Sequence, residues 1–373
     1  MDEFDPAAEL GLVHDKQFVC SSTGFLQLNN SSRDLCERFI DHGDKLYDLI
    51  SRYDYVVSYI LNRPDIRSGN VTRYISPFLK AFGVTDFGAM DHCRKKLNPM
   101  PEAKRVMKHL MDTLPTFVST SSFEHNVIGL CSELDIPSVI VDRSDVSFDD
   151  FNMDKQEARS IREIANSFTS LRMPGQKYEL DAMVELDRDE IDLVVALDKV
   201  FCDQYRDLFT SGTIKQFRSV GADSKAHFLL DLRQRTSIDF DGTAYVGGDM
   251  TDILALDSIK NRGGLALSFN GCDFAVRNSN IAVMSRDCTV AAVLVQEFYN
   301  EGIEAVFDLV ESWDRKTLEK KDFPDPYLMR TMLGSNPKKL PEVYIVKKDN
   351  ADEIAKKSEK FRKNFFKEGR VVL

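Results

Sequence analysis

The sequence predicts an α/β protein, a parallel sheet covered by helices on both faces and interrupted by two helical insertions. Short apolar runs recur at 18–20, 116–119, 138–141, 244–247, 265–269 and 281–284, with helical stretches between them. Most are continuously apolar rather than alternating, which is how strands buried on both faces read. Strands that alternate with helices favour parallel pairing. Two long stretches, 31–97 and 149–216, break that alternation and define the insertions.

Taken in order, an acidic tail at 1–16 precedes the first core segment, 17–30. Residues 31–97 open with the capping pair Ser31 and Ser32. Their buried stripe of Leu35, Phe39, Leu46, Leu49, Ile50, Val56 and Ile60 reads as helix throughout. The core resumes over 98–148, where Val106, Met107, Leu110 and Met111 share one face of a helix at 102–113. A second helical, charge-rich insertion covers 149–216. The core ends over 217–340, and the helix after Thr289 buries Val290, Val293, Leu294, Phe298 and Ile303. Residues 341–373 add a strand-like run at 343–346 and a basic helix over about 350–368, whose Lys and Arg residues are expected to be a solvated face. Insertions leaving the carboxyl ends of parallel strands stand over the crevice where such proteins bind ligands.

Among the 373 residues, 49 Lys and Arg face 60 Asp and Glu, a net charge of −11. That excludes a generic nucleic-acid binder, which needs a surplus of cations to displace phosphate counterions. It leaves room for a small anion in one local pocket. No apolar stretch approaches the roughly 20 residues of a membrane helix, so no membrane element is expected. The N-terminus lacks the basic start and apolar run of a secretory signal, and the expected location is cytoplasmic. Seven scattered cysteines without a CxxC pair read as buried free thiols. The six histidines show no HxxxH or HExxH spacing, which argues against zinc.

The most informative segment is YVGGDMTDILAL, residues 245–256. An apolar strand, a glycine turn, carboxylates at Asp249 and Asp252 and an apolar helix describe an acidic site at a strand end. Such a site suits a hard cation such as Mg²⁺. The same residues suit a helix N-terminus, where Asp and Thr cap amides and complement the dipole.

Together with the following GGLALSFNGCDFAVRNSNIAVMS, the segment resembles the archaeal branch of the haloacid dehalogenase (HAD) superfamily known as predicted hydrolases or phosphatases. Some methanogen members carry the label energy-converting hydrogenase A subunit R. The resemblance continues in SPFLKAFGV (76–84), PTFVSTSSFEHNV (115–127), VGADSKAHFL (220–229) and EVYIVKKDN with KKSEKFR (342–362), nearly the whole chain. It implies a HAD-like Rossmannoid parallel sheet with helical cap insertions. It also implies four motifs: an aspartate nucleophile followed by an acid/base carboxylate, a Ser/Thr, a Lys that steadies phosphate, and acids that hold Mg²⁺.

Matched residue by residue, the nucleophile position is Ser21 and the second acid position is Thr23. Neither is a carboxylate, and a serine needs a general base that the local sequence does not offer. Cys20 lies one residue off and points to the other face of its strand. The second motif falls on Thr120, with Ser119 beside it, and the third on Lys225. In the fourth, Gly248 replaces the first acid, Asp252 matches the second and Asp249 comes one place late. A divalent ion held mainly by one carboxylate, carbonyls and water would bind weakly.

The segment IDFDGT (238–243) imitates the nucleophile box. The residues before it, Arg233 to Ser237, are polar and cannot form the buried strand that a nucleophile box closes, so it reads as an exposed turn. The expected function is that of a HAD-superfamily protein which has lost phosphoaspartate chemistry and acts as a binding, regulatory or complex-forming subunit. Its ligand would be a small phosphorylated or other anionic molecule contacting Lys225 and the amides near Thr120. The alternative is a Mg²⁺-dependent phosphatase of a small phosphorylated metabolite with a remodelled site. A structural partner role in a protein complex is a third.

Overall fold

The computed structural model describes residues 14–63, 68–175, 185–204, 217–321 and 326–368. Most of the expected acidic tail and parts of the second insertion, 176–184 and 205–216, lie outside them. Seven strands, β1 Gln17–Cys20, β2 Thr116–Phe123, β3 Val141–Ser144, β4 Thr243–Gly247, β5 Leu265–Phe269, β6 Ile281–Met284 and β7 Glu342–Ile345, form one sheet. Their order is β3-β2-β1-β4-β5-β6-β7. The first six pair in parallel, and β7 runs antiparallel to β6. The α/β class and the helix-covered parallel sheet expected from the sequence are thus present. The chain leaves β1 toward β2 and β3 on one side and β4 on the other. Between β1 and β4 lies the topological switch point, where open α/β sheets place their ligands.

Burial explains the strands. Phe18, Val19 and Cys20 of β1, all of β4 and β5, and all of β6 are buried, matching their unbroken apolar composition. Three expectations need correction. Residues 138–140 form a 3₁₀ turn rather than a strand, with Val139 left 83% exposed, and the strand begins at Val141. β2 does not end at residue 119 but runs on through Thr120, Ser121 and Ser122 to Phe123, with a register irregularity against β3. The cap of the helix Ser31–Phe39 is also shifted: Asn30 accepts the amide of Arg33 at 3.2 Å, while Ser31 and Ser32 lie inside the helix.

Between β1 and β2 come the helices Ser31–Phe39, Gly43–Tyr55, Val71–Ala81 and Asp86–Lys96, then Ala103–Thr113 beside the sheet. After β3 come Lys155–Phe168 and Arg188–Asp198. The two helical insertions share one apolar core: Leu49, Ile50 and Phe78 of the first pack in the same cluster as Ile161, Phe168 and Leu193 of the second. Ile253 and Phe274, which follow β4 and β5, belong to that cluster too. Arg52 reinforces the join by pairing with the buried Glu190, its Nε 3.0 Å from Oε2. No described helix is long and apolar enough to cross a membrane.

The helices between β1 and β2 meet the loops at the carboxyl ends of the strands closely at two places. Gly69 has φ +106°, and a Cβ there would lie 2.2 Å from Gly221 Cα, so the backbones meet with no room for a side chain. Next to it, the buried Asp54 accepts the amides of Gly69 at 2.9 Å and Asn70 at 3.3 Å. Burial pushes the Asp54 carboxyl up to about 7, against the opposing pull of the two amides. An acid whose folded pKa is raised binds its proton more tightly in the native state. Its contribution to stability is complete below the unfolded value near 4 and is lost as pH rises toward 7. Asp54→Asn should therefore gain stability relative to the parent between pH 4 and pH 8. The gain should be on the order of 4 kcal/mol, read as the pH dependence of the difference between urea unfolding curves. A flat difference would show that Asp54 is already ionised in the fold.

The second place is a π-helical turn, Val56–Ile60, which extends the helix Gly43–Tyr55. π-turns often mark functional sites because the inserted residue re-aims a side chain. Here Tyr59 donates from its hydroxyl to the Met250 carbonyl at 2.7 Å and stacks on Phe274 with ring centres 5.4 Å apart.

Candidate functional site

Three loops meet at the carboxyl ends of β1, β2 and β4. β1 stops at Cys20, and Ser21 anchors the loop by donating its amide to the Val246 carbonyl at 2.9 Å. Across the gap, the helix Ala222–Thr236 begins after Gly221 and presents Lys225 in its first turn. Lys225 is 1% exposed. A buried ammonium is costly unless paired and hydrogen-bonded, and Lys225 meets both demands: Nζ lies 2.6 Å from Asp252 Oδ1, 2.9 Å from Thr251 Oγ1 and 3.3 Å from Ser21 Oγ.

Asp252 is fully buried, and its acceptors are occupied. Oδ1 also receives the Tyr245 hydroxyl at 2.8 Å, and Oδ2 receives the amides of Gly248 at 2.8 Å and Asp249 at 2.9 Å. Burial works against its charge, yet the Lys225 ammonium and the two amides outweigh it and hold Asp252 below the usual carboxylate range. Gly248 is required where it stands, since a Cβ there would fall 2.6 Å from the Phe269 carbonyl oxygen.

Asp249 is paired as well, but not by Lys225. The last described helix, Ala351–Glu368, brings Arg362 to it. Arg362 Nη2 pairs with the Asp249 carboxylate while Nη1 donates to the carbonyls of Gly248 at 2.9 Å and Asn270 at 3.1 Å. This corrects the expectation of a wholly solvated basic face. Lys356, Lys357, Lys360 and Lys363 are exposed, whereas Arg362, with 12% of its side chain accessible, is turned inward.

The remaining expected residues divide. Thr120 reaches the first loop, its Oγ1 2.6 Å from Ser22 Oγ, while Ser119 points away to Asp142 Oδ2 at 3.1 Å. Thr23 is partly exposed, its backbone bridged to Gln27, and it joins none of the hydrogen bonds of the cluster among the described residues. Cys20 faces inward from the strand end. Burial, aided by Asp252, pushes its thiol well above the ordinary range, so a thiolate is not available there. Phe240–Gly242 form a 3₁₀ turn entering β4 at its amino end, the edge of the sheet opposite the candidate site, with the Asp239 carboxylate capping it by accepting the Phe240 amide at 2.7 Å.

Sequence reasoning missed Ser22, Tyr245, Thr251 and Arg362. Tyr245 had a legible signal: a phenol inside an unbroken apolar strand needs a partner for its hydroxyl. The site therefore contains two internal ion pairs and a set of hydroxyls, Ser21, Ser22, Thr120 and Thr251. Mg²⁺ does not fit this donor set. Asp252 has every acceptor filled, Asp249 is neutralised by Arg362, and no group of three or more metal-ligating side chains occurs among the described residues.

No protein-family model matches the chain, and no curated protein matches it in sequence. Among solved structures it is similar to gene product AF1437 from Archaeoglobus fulgidus, with a TM-score of 0.76 and 19% identity over 94% of this chain and 96% of that one. That likeness shows a common fold. The apo form of a phosphoserine phosphatase aligns with a TM-score of 0.42 and 12% identity, over 77% of this chain and 98% of that one. A phospho-aspartyl intermediate analogue of phosphoserine phosphatase aligns with a TM-score of 0.45 and 10% identity, over 76% and 98%.

Proposed function

We propose that this HAD-like chain has lost phosphoaspartate chemistry and serves as a binding, regulatory or complex-forming protein whose crevice takes a small phosphorylated or similarly anionic ligand. One observation carries the reading: the position of the nucleophile is a hydroxyl that faces a hydrogen-bond donor. Ser21 Oγ accepts from Lys225 Nζ at 3.3 Å, whereas a nucleophilic serine must give its proton to a base. The carboxylates that could serve as base or hold a metal, Asp249 and Asp252, are each held by an internal cation. What remains suits recognition rather than turnover, because the strand-end hydroxyls can exchange their internal partners for phosphate oxygens without cleaving the ester, while Lys225, its three donors engaged by Asp252, Thr251 and Ser21, supplies positive charge behind them.

The test has two arms. Purified protein and its Ser21→Ala variant, incubated with a panel of phosphomonoesters and Mg²⁺, should release phosphate at the same background rate. Turnover that disappears in the variant would sink the reading. In the second arm, inorganic phosphate and phosphomonoesters should raise the melting temperature of the parent protein. They should not raise that of Ser21→Asp, whose added carboxylate repels the anion. If no anion stabilises the parent, the binding role is wrong.

A further inference from the structure

Arg362 lies in a cage of oxygen atoms: the Asp249 carboxylate and the carbonyls of Gly248 and Asn270. One carboxylate and two main-chain carbonyls are the donor type that a hard divalent cation takes. The three oxygens come from the turns after β4 and β5, the strand ends that border the crevice. Asn270 is held at φ +48°, and the turn after β4 approaches the Phe269 carbonyl so closely that only glycine fits at 248. The Gly248 carbonyl also accepts the Cys272 amide at 2.9 Å, a bond that does not involve the arginine.

The cation is delivered as part of the fold. Ser358, one helical turn before Arg362 and 1% exposed, donates its hydroxyl to the Gly271 carbonyl at 2.7 Å. Ala351, Ile354 and Ala355 lie buried against Val276 and Ala282, and Phe365 joins the core on the other side of the arginine. A guanidinium is charged at every accessible pH and its planar fork spreads donors over several oxygens. A helix that buries it there supplies a permanent positive charge.

We infer that Arg362 is a built-in replacement for a divalent cation, and that the oxygens around it form a latent metal site which the last helix fills with its own side chain. The inference deepens the proposed function, since it names what balances the crevice in place of metal. It accounts for the cation that Asp249, the cap of the turn after β4, holds against its carboxylate. It also makes the site independent of metal supply: chelators and Mg²⁺ should leave the protein and its anion affinity unchanged.

Mn²⁺, which fills Mg²⁺ sites and is seen directly by electron paramagnetic resonance, is the probe. The parent protein should retain no Mn²⁺ that Asp249→Asn abolishes. Arg362→Gln removes the charge, opens the cage and should bind Mn²⁺ at least tenfold more tightly than the parent, with a Mn²⁺-dependent rise in melting temperature. Arg362→Met, which keeps the packed stem, serves where glutamine is not tolerated. Adding Asp249→Asn to either variant should abolish the gain. Mn²⁺ bound by the parent through Asp249 overturns the inference, and so does a folded Arg362 variant that binds no more than the parent. Phosphomonoester turnover by the parent would overturn the proposed function instead, and the Mn²⁺ titration reads the cage separately from it.

Discussion

Asp252→Ala is expected to lower the free energy of unfolding by about 3–5 kcal/mol, because it leaves the buried Lys225 ammonium without its carboxylate. The loss extends beyond the ion pair. The Tyr245 hydroxyl and the amides of Gly248 and Asp249 lose their acceptor in the same step, and unmade buried hydrogen bonds cost more than made ones contribute. Urea unfolding curves of Asp252→Ala, Lys225→Met and the double variant measure it. Each single change should be severe and the double change milder than their sum, as apolar replacements can substitute for a buried pair that cannot survive halving. Strict additivity would show that the two side chains do not depend on each other. Because Asp252 is held below the usual carboxylate range, its contribution is present at neutral pH. It is lost only as pH falls from about 4 through its folded value.

Gly248→Asp, which places an acid where the resemblance expects one, is expected to destabilise the protein by about 3 kcal/mol and to yield no metal site. A Cβ at this position meets the Phe269 carbonyl at 2.6 Å, a backbone atom that cannot swing aside, with Arg362 Nη1 at 3.7 Å. The melting temperature should drop, and adding Mg²⁺ should not restore it. Stabilisation by Mg²⁺ in this variant would mean that the turn relaxes and that a single residue separates the present site from a metal-binding one. The expected result is the opposite, because the turn closes on the Phe269 carbonyl and leaves no room for a side chain at 248.

The strands that flank the crevice were legible because burial on both faces leaves an unbroken apolar signature, as in β4 and β5. The exception, β3, has only one neighbour in the sheet and the mixed sequence Val-Asp-Arg-Ser, so the apolar turn before it imitated a strand. Ser21, Lys225 and Asp252 were found through the motif resemblance, and the structure brings their side chains together. Arg362 was not found, because its neighbours Lys356, Lys357, Lys360 and Lys363 are basic too and composition makes all five look alike. What distinguishes it is position. Residues 351, 355, 358, 362 and 365 follow a spacing of four, three, four and three, the stripe that a helix turns to its partner, and Arg362 is the charged member of it. A charge placed on a buried stripe is a sequence signal, but its partner comes from a turn more than a hundred residues earlier, which no local pattern reveals.

The interior position of β1, between β2 and β4, has a consequence for how the molecule assembles. Gln17, in its first strand, bonds to Thr243 across a separation of 226 residues, and the neighbour on the other side, β2, begins only at Thr116. The sheet cannot close around β1 until both helical stretches and β4 have been synthesised. Parallel pairing at such sequence separations must meet the entropy of loop closure before any contact rewards it, so folding should be slow and its intermediates long-lived. An apolar β1 with both edges unpaired is then the segment most exposed to misassociation, and recovery from denaturant should improve with dilution and cooling.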